Sequence, residues 1–544
     1  MLVSSSGNAS SITRRSAAAL LGGALLAAPL ALSGCSGSND SQTAETAETV
    51  DEAADADVAS GTAEADAEGA TQAEARDKLV MALRVDPDGL DPQRTASAST
   101  FQITNNVYDP LLRVTVEGEL VPGLAESWET SEDGLTLTFK LREGLKFSNG
   151  NACDADAVVA SFERLQEDES PRQSEYAGYA FSATDERTFV ATCETLNVAA
   201  ESDFAYAWAA VVDVTVADTL SSQPVGTGPY VVSSWVPQTS VTLEANPDYW
   251  GEAPLTPTVE LQVLPEAATQ ASSLRAGSVD LYWGWADQLS LFEGDADFTV
   301  TRAAENGVQL MAMNCKNAPL DDERVRQAIN MAVDKDALIE SVWWGCGQKI
   351  GSHFPTVLKD YVDCSETYTY DPDAAKKLLE EAGYPEGTKL RMRLPESYSE
   401  YVNAGQVIAD YLKKVGVECD VEIVDWSTWL EDVYTGRNYD LTVVGHTGRL
   451  DPITLLARYS STSSENYFGY ENPEVDELIA SYRTELDADK RHEIVAEIQR
   501  TLAEDVPALY IQTPEMVYFS TSKLHGFERY PIDIYEFRNV WVEK

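Results

Sequence analysis

Residue types that do chemistry are present in this 544-residue chain, but few stand at spacings that chemistry uses. There are four histidines, widely separated, and His446 sits between Gly445 and Thr447. A lone histidine in that setting is a hydrogen-bonding or core residue more often than a metal ligand, and no metal site is expected. Beyond Cys35 the cysteines are Cys153, Cys193, Cys315, Cys346, Cys364 and Cys419, none in the Cys-x-x-Cys pair that zinc or redox motifs use. No Gly-x-Ser-x-Gly elbow, no His-Glu-x-x-His and no motif-bound Cys–His pair occurs, so no catalytic residue is assigned. Acid pairs such as Asp321-Asp322 single out nothing in a chain with 90 Asp and Glu. Gly226-Thr227-Gly228 is followed by no lysine and leads into a strand rather than a helix, which excludes a phosphate loop. No cofactor is implied.

Net charge narrows the partners further. The formal charge is −51, and the first 77 residues hold 12 acids and 3 bases, so most of the negative charge belongs to residues 78–544. No Lys/Arg cluster offers phosphates a footing, and nucleic acid is excluded as a partner. Such acidity suits solubility outside the cell.

The N-terminus points the same way. Arg14 and Arg15 precede an apolar stretch from about 17 to 32, interrupted by Gly22, Gly23 and Pro29. It is too short and broken for a comfortable membrane span but suits a signal peptide core. It ends in Leu32-Ser33-Gly34-Cys35, which resembles a bacterial lipobox, so residues 1–35 are predicted to be a lipoprotein signal with Cys35 as the lipidated residue. Arg14-Arg15 is similar to a twin-arginine signal, yet Ser16 and Ala17 come next, which leaves Sec and Tat both open. Residues 36–77 hold no aromatic and one positive residue, Arg76, and are predicted to be a disordered acidic tether. The protein is therefore expected at the outer face of the cytoplasmic membrane or in the periplasm, touching the membrane through its lipid only. In that compartment an even count of cysteines favours disulfides; Cys346 with Cys364 is the preferred pair, since they flank one short loop.

The elements that must position any site are read from periodicity. Strands are predicted at 79–84, 135–141, 224–232, 241–244, 259–263, 417–424 and 509–511. Helices are predicted at 101–112, 156–165, 267–276, 323–334, 337–342, 371–382, 402–415, 473–484 and 487–504. Alternating strands and helices argue for α/β lobes around mostly parallel sheets, and more than 460 residues suffice for two or three of them.

Four motifs then carry a specific likeness. They are Gly123-Leu124-Ala125-Glu126-Ser127-Trp128 with Asp133-Gly134 through Gly150; Pro224-Val225-Gly226-Thr227-Gly228-Pro229-Tyr230 with Asn246-Pro247-Asp248-Tyr249-Trp250-Gly251; Leu274-Arg275-Ala276-Gly277-Ser278-Val279-Asp280; and Arg324-Val325-Arg326-Gln327-Ala328-Ile329-Asn330. In that order they resemble the peptide/nickel-type, family 5 extracytoplasmic solute-binding proteins of ABC importers, across almost all of 78–544. The resemblance implies a two-lobed periplasmic-binding-protein-like α/β fold (type II) with an inserted subdomain. Lobe I would be 78–112, 222–310 and 514–544, the insert 113–221 and lobe II 311–513. It implies a monomer that captures a ligand between lobes and delivers it to permease subunits, without enzymatic change. A peptide is the family's default ligand; a nickel chelate, haem, an oligosaccharide or an anionic metabolite are the alternatives, and a secreted hydrolase is the reading from another class.

The resemblance also nominates cleft residues. Trp283 and Trp285 come after the third motif where the chain turns to the cleft, and could stack on a ligand; either could equally be core. Ser99 precedes a helix in a stretch that lines the cleft in relatives. In dipeptide binders the segment around 445–452 supplies an acid for the ligand's amino terminus, and here Arg449 stands there, with Asp451 in an Asp-Pro pair. A cleft-facing Arg449 would favour a carboxylate, whereas an Arg449 paired with a local acid would be structural. His446 is the remaining ligand-binding candidate. No arginine near 395–398 clamps a dipeptide carboxylate.

Overall fold

The computed structural model describes residues 75–385, 387–532 and 534–544. The predicted signal, Cys35 and nearly all of the acidic tether lie outside the described residues. The chain is tied to the fold from Ala75, which bridges Glu543, and Arg76 forms an ion pair with Asp280.

One long mixed sheet runs through the molecule. On one side Lys78–Leu83 pairs in parallel with Thr258–Val263 and Leu281–Gly284, and the antiparallel hairpin Tyr230–Val236/Ser240–Ala245 extends that edge. On the other side Lys389–Pro395 pairs in parallel with Glu418–Val424 and Leu441–Thr447. The strand Ala508–Thr521 joins the two sides. Its first residues pair antiparallel with Gly307–Met313, its last with Leu281–Gly284 and Phe298–Ala304. This 14-residue strand is the element that both sides of the sheet share. The expectation of mostly parallel sheets is corrected: the linking strand and the hairpin make most pairings antiparallel.

Two apolar cores flank that strand on the side of Lys389–Pro395 and two on the side of Lys78–Leu83. A further core, rich in Phe139, Phe162, Phe189 and Phe204, lies under the separate four-stranded sheet of residues 125–193. Local chemistry sets the helix ends as the sequence implies. Asp154 caps Ala155–Leu165 by accepting from Ala157 N, Asp371 caps Pro372–Ala382 with proline at the first turn, and Gly383 closes it at φ +72°.

Three local readings fail for physical reasons. The helix predicted at 101–112 is Ala98–Thr104; single turns carry the chain on to Tyr108, and Asp109 before Pro110 rules out any helix beyond it. The strand predicted at 224–232 begins only at Tyr230. Gly226 and Gly228 serve there by lacking a side chain: a Cβ on Gly226 would lie 2.1 Å from Val107 O, and one on Gly228 2.6 Å from Val107 C. The disulfide is also corrected. Cys346 and Cys364 are free, buried thiols: Cys346 packs with Tyr282, Phe292 and Phe519 beside the linking strand, while the Cys364 carbonyl lies against Gly351.

Candidate functional site

A cavity of about 590 Å³ opens beside the linking strand, between it and the four-stranded sheet's surroundings at residues 172–208. Phe101 and Gln102 reach it from the helix Ala98–Thr104, Trp283 from the strand Leu281–Gly284, and Met516 from the linking strand. Arg172, Tyr206 and Trp208 reach it from residues 172–208, Asn306 from the turn before the strand Gly307–Met313, and Arg449 from just beyond the strand Leu441–Thr447. An aromatic lining with a few converging polar groups is the character of a small-molecule cleft.

Arg449 is the centre of the polar wall. Its Nη1 and Nη2 donate to Glu175 Oε2 and Oε1 at 2.9 and 2.8 Å, a two-bond fork between the second lobe and the insert. The guanidinium lies 5.3 Å from the Trp208 ring centre, Arg172 lies 4.2 Å from the same ring, and Tyr206 stacks on Trp208 at 4.4 Å. Arg172 Nη1 also donates to Glu175 Oε1, at 3.1 Å. Burial alone would raise the Glu175 carboxyl, but the hydrogen bonds and charge of Arg449, then Arg172, hold it below the usual range. Backbone Leu450 N donates to Tyr206 Oη at 3.0 Å, a second tie across the same gap. Beneath it Asp203 accepts from Tyr179 Oη at 2.6 Å, and burial pushes its carboxyl up to about 7.

His446 borders a side cavity of about 210 Å³ that shares Glu305 and Thr447 with the cleft. Both of its ring nitrogens have protein partners: Nδ1 is 3.1 Å from His353 Nε2, and Nε2 is 3.2 Å from Tyr467 Oη. His353 in turn is 2.8 Å from Tyr459 Oη. Burial holds both imidazoles well below their ordinary range, so they are neutral at pH 7. Tyr398 and Tyr401 stack on the same side cavity, with Trp426 edge-on to Tyr398. Trp429 is core, its Nε1 donating to Thr442 Oγ1 at 2.9 Å.

The two tryptophans of 283–285 separate. Trp283 lines the cleft, whereas Trp285 is 55% exposed and off the cleft wall. Arg84 lies between them, 4.0 and 3.9 Å from the two rings, and burial lowers its guanidinium to about 10. Ser99 is half-buried and bonds Ser97 Oγ at 2.8 Å; its neighbours Ala98 and Phe101, not Ser99, face the cavity. Asp451 is set away from the cleft. It accepts from Tyr482 Oη at 2.9 Å and borders a second cavity of about 570 Å³ between insert and second lobe. Among the described residues no cluster of three His, Cys, Asp or Glu is placed to hold a metal ion, and no helix is long and apolar enough to cross a membrane.

Comparison with known proteins gives the family to which the chain belongs. Residues 119–467 match the bacterial extracellular solute-binding proteins, family 5, middle region. The chain belongs to that family. Among curated relatives of this family 5 protein, the dipeptide-binding protein of Escherichia coli K12 is 28% identical over 508 residues, 86% of this chain and 94% of the relative. Heme-binding protein A of Haemophilus influenzae is 28% identical over 504 residues, 84% and 91% of the two chains. The solved structure of HbpA2 from Haemophilus parasuis superposes with a TM-score of 0.80 at 24% identity, covering 86% of this chain and all of that one. The last likeness establishes the two-lobed solute-binding fold.

Glu175, which pairs with Arg449, and the cleft residues Tyr206, Trp208, Arg172 and Asn306 are among those that sequence reasoning misses. They lie on the insert or on a turn between strands, in segments without motif. The reading of Arg449 pointed to a local acid, whereas its partner Glu175 lies 274 positions away.

Proposed function

We propose that this family 5 protein captures a peptide in the cleft of Trp283, Trp208 and Arg449 and delivers it unchanged to the permease subunits of an ABC importer. It would do so from the outer face of the cytoplasmic membrane, held by a lipid on Cys35. The observation that carries the peptide reading is the cleft wall itself: stacked aromatic faces for side chains beside amide and guanidinium groups for a peptide backbone. Curated dipeptide binders among the relatives support it. Closure is favoured because ligand touches residues on both sides of the linking strand, so the closed state gains contacts the open one lacks. No step alters the ligand, and no residue acts as catalyst. The haem relative raises a second ligand class, but both His446 nitrogens are already engaged, which removes the imidazole a haem iron would take.

Thermal shift against pooled tri- to pentapeptides, nickel chelates, haem and oligosaccharides tests this. Ligand at about 100 times its Kd stabilises the folded chain by about 2.7 kcal/mol, a readily measured rise in Tm. A rise with the peptide pool alone is expected; silence with peptides and a rise with another class would replace the ligand, and turnover of any compound would overturn the binding role.

A further inference from the structure

The side cavity next to the cleft differs from it in charge. Tyr398, Tyr401 and Trp426 line it with Gln309 and His446, and it meets the cleft at Glu305 and Thr447. Tyr398 is 37% exposed and Trp426 half-buried, so both rings are within reach of a ligand. The Tyr398 and Tyr401 ring centres lie 5.1 Å apart at 27°, and Trp426 meets Tyr398 at 5.2 Å and 68°. Steeply inclined ring planes thus form a corner. Trp429, itself buried, stacks on Trp426 at 4.9 Å and holds that wall in place.

Among the described residues that line the side cavity, Glu305 alone is charged, and no Lys or Arg is present. Both His446 nitrogens are engaged by His353 and Tyr467, and burial keeps the ring neutral. The base that acts on His446 is Arg458, which lies 3.8 Å from its own acid, Glu465, and Glu400 adds negative charge at Tyr401. The cleft, by contrast, is lined by Arg172, Arg449 and Arg529 together with Glu305, and Glu175 is bound to the first two. Its tryptophans already carry guanidiniums of the protein, Arg84 on Trp283 and Arg172 on Trp208. The negative faces of aromatic rings attract cations, the more so where water is excluded. A volume of about 210 Å³ is the space of about seven waters, room for a long unbranched side chain.

We propose that the side cavity receives a cationic side chain of the ligand, lysine or arginine, held against the faces of Tyr398 and Trp426 with Glu305 supplying negative charge at the entrance. The proposal rests on the peptide reading and names the class of peptide: one with a basic residue at a single favoured position. An acidic residue there is disfavoured by Glu305 and Glu400.

Calorimetric titration tests this with tri-alanine, N-acetyl-tri-alanine, and tri-alanine carrying lysine, norleucine or glutamate at each position in turn. Norleucine keeps the unbranched stem of lysine without its charge. At one position lysine is expected to bind about threefold to thirtyfold more tightly than norleucine, and glutamate more weakly than alanine. The lysine preference should shrink as salt is raised. Trp426→Leu and Tyr398→Leu, which keep an apolar side chain without the ring face, should each cut the lysine-to-norleucine ratio by at least about twofold. Tyr398 is exposed, so its variant serves even if Trp426→Leu fails to fold. Equal binding of lysine and norleucine at every position, or a preference unchanged in Tyr398→Leu and in any folded Trp426→Leu, overturns the proposal and leaves the peptide reading standing. Loss of binding on acetylation without a lysine preference also overturns it, by giving the cavity to the amino terminus. Failure of every peptide, in the pool as well as among these probes, removes the peptide reading and this proposal with it.

Discussion

Arg449 and Glu175 lie 274 positions apart in the chain, yet meet in a two-bond fork across the mouth of the cleft. The pair joins the second lobe to the insert and seats both side chains against Trp208. It is about a quarter to a third exposed, so a surface-type worth of about 1 kcal/mol fits better than a buried-pair value. Glu175→Gln should therefore lower Tm by a few degrees at most, yet shift the unliganded protein toward an open form. Small-angle scattering without ligand should show a larger radius of gyration for the variant than for the wild type. An unchanged radius would show that the fork does not hold the lobes.

The imidazoles of His353 and His446 are kept neutral by burial, below the ordinary value of 6.5. The unfolded chain takes up these protons first, so the stability they contribute is complete above pH 6.5 and is lost as pH falls below it. His446→Gln should lower Tm at pH 8 and lose less of it than the wild type between pH 7 and 5. Parallel Tm curves for the two proteins would contradict the neutral pair.

Asp203 works in the opposite sense. Its carboxyl is raised to about 7 by burial, against an ordinary 3.8, so its protonated form favours the fold and that contribution is lost as pH rises from about 4 through 7. Asp203→Asn keeps a side chain of the same size without the ionisation. The Tm difference between variant and wild type should move in the variant's favour as pH rises across that window, and a constant difference would argue against it.

The six cysteines of the described chain are free thiols, most of them buried. Titration with a thiol reagent should be slow for the native protein and reach six equivalents after unfolding without reductant. Four equivalents would reinstate a bridge, Cys346 with Cys364 first among the candidates.

Much of the frame was legible because its signals are local. Alternation in Thr136–Leu141, the Asp-Pro start and Gly end of Pro372–Ala382, and the motif around Gly226 each report a constraint within a few residues. The linking strand was read only at 509–511, because its 14 residues are buried on both sides of a half-buried middle and change partner there, which removes simple alternation. The strand Gly307–Met313, buried along its whole length, escaped for the same reason. At the site, Arg449 was found through its departure from a family pattern, but its partner is a matter of tertiary approach. Asp451, nominated by position alone, proved to serve a Tyr482 hydrogen bond away from the cleft.

Hydrogen–deuterium exchange of the full chain with and without a saturating stabilising peptide tests the location and nature of the cleft together. Slower exchange is expected in residues 96–102, 206–208, 305–306, 447–449 and 529–532, drawn from both lobes and the insert. Protection confined to 118–120, 359–360 and 488–495, which line the other large cavity, would contradict the account.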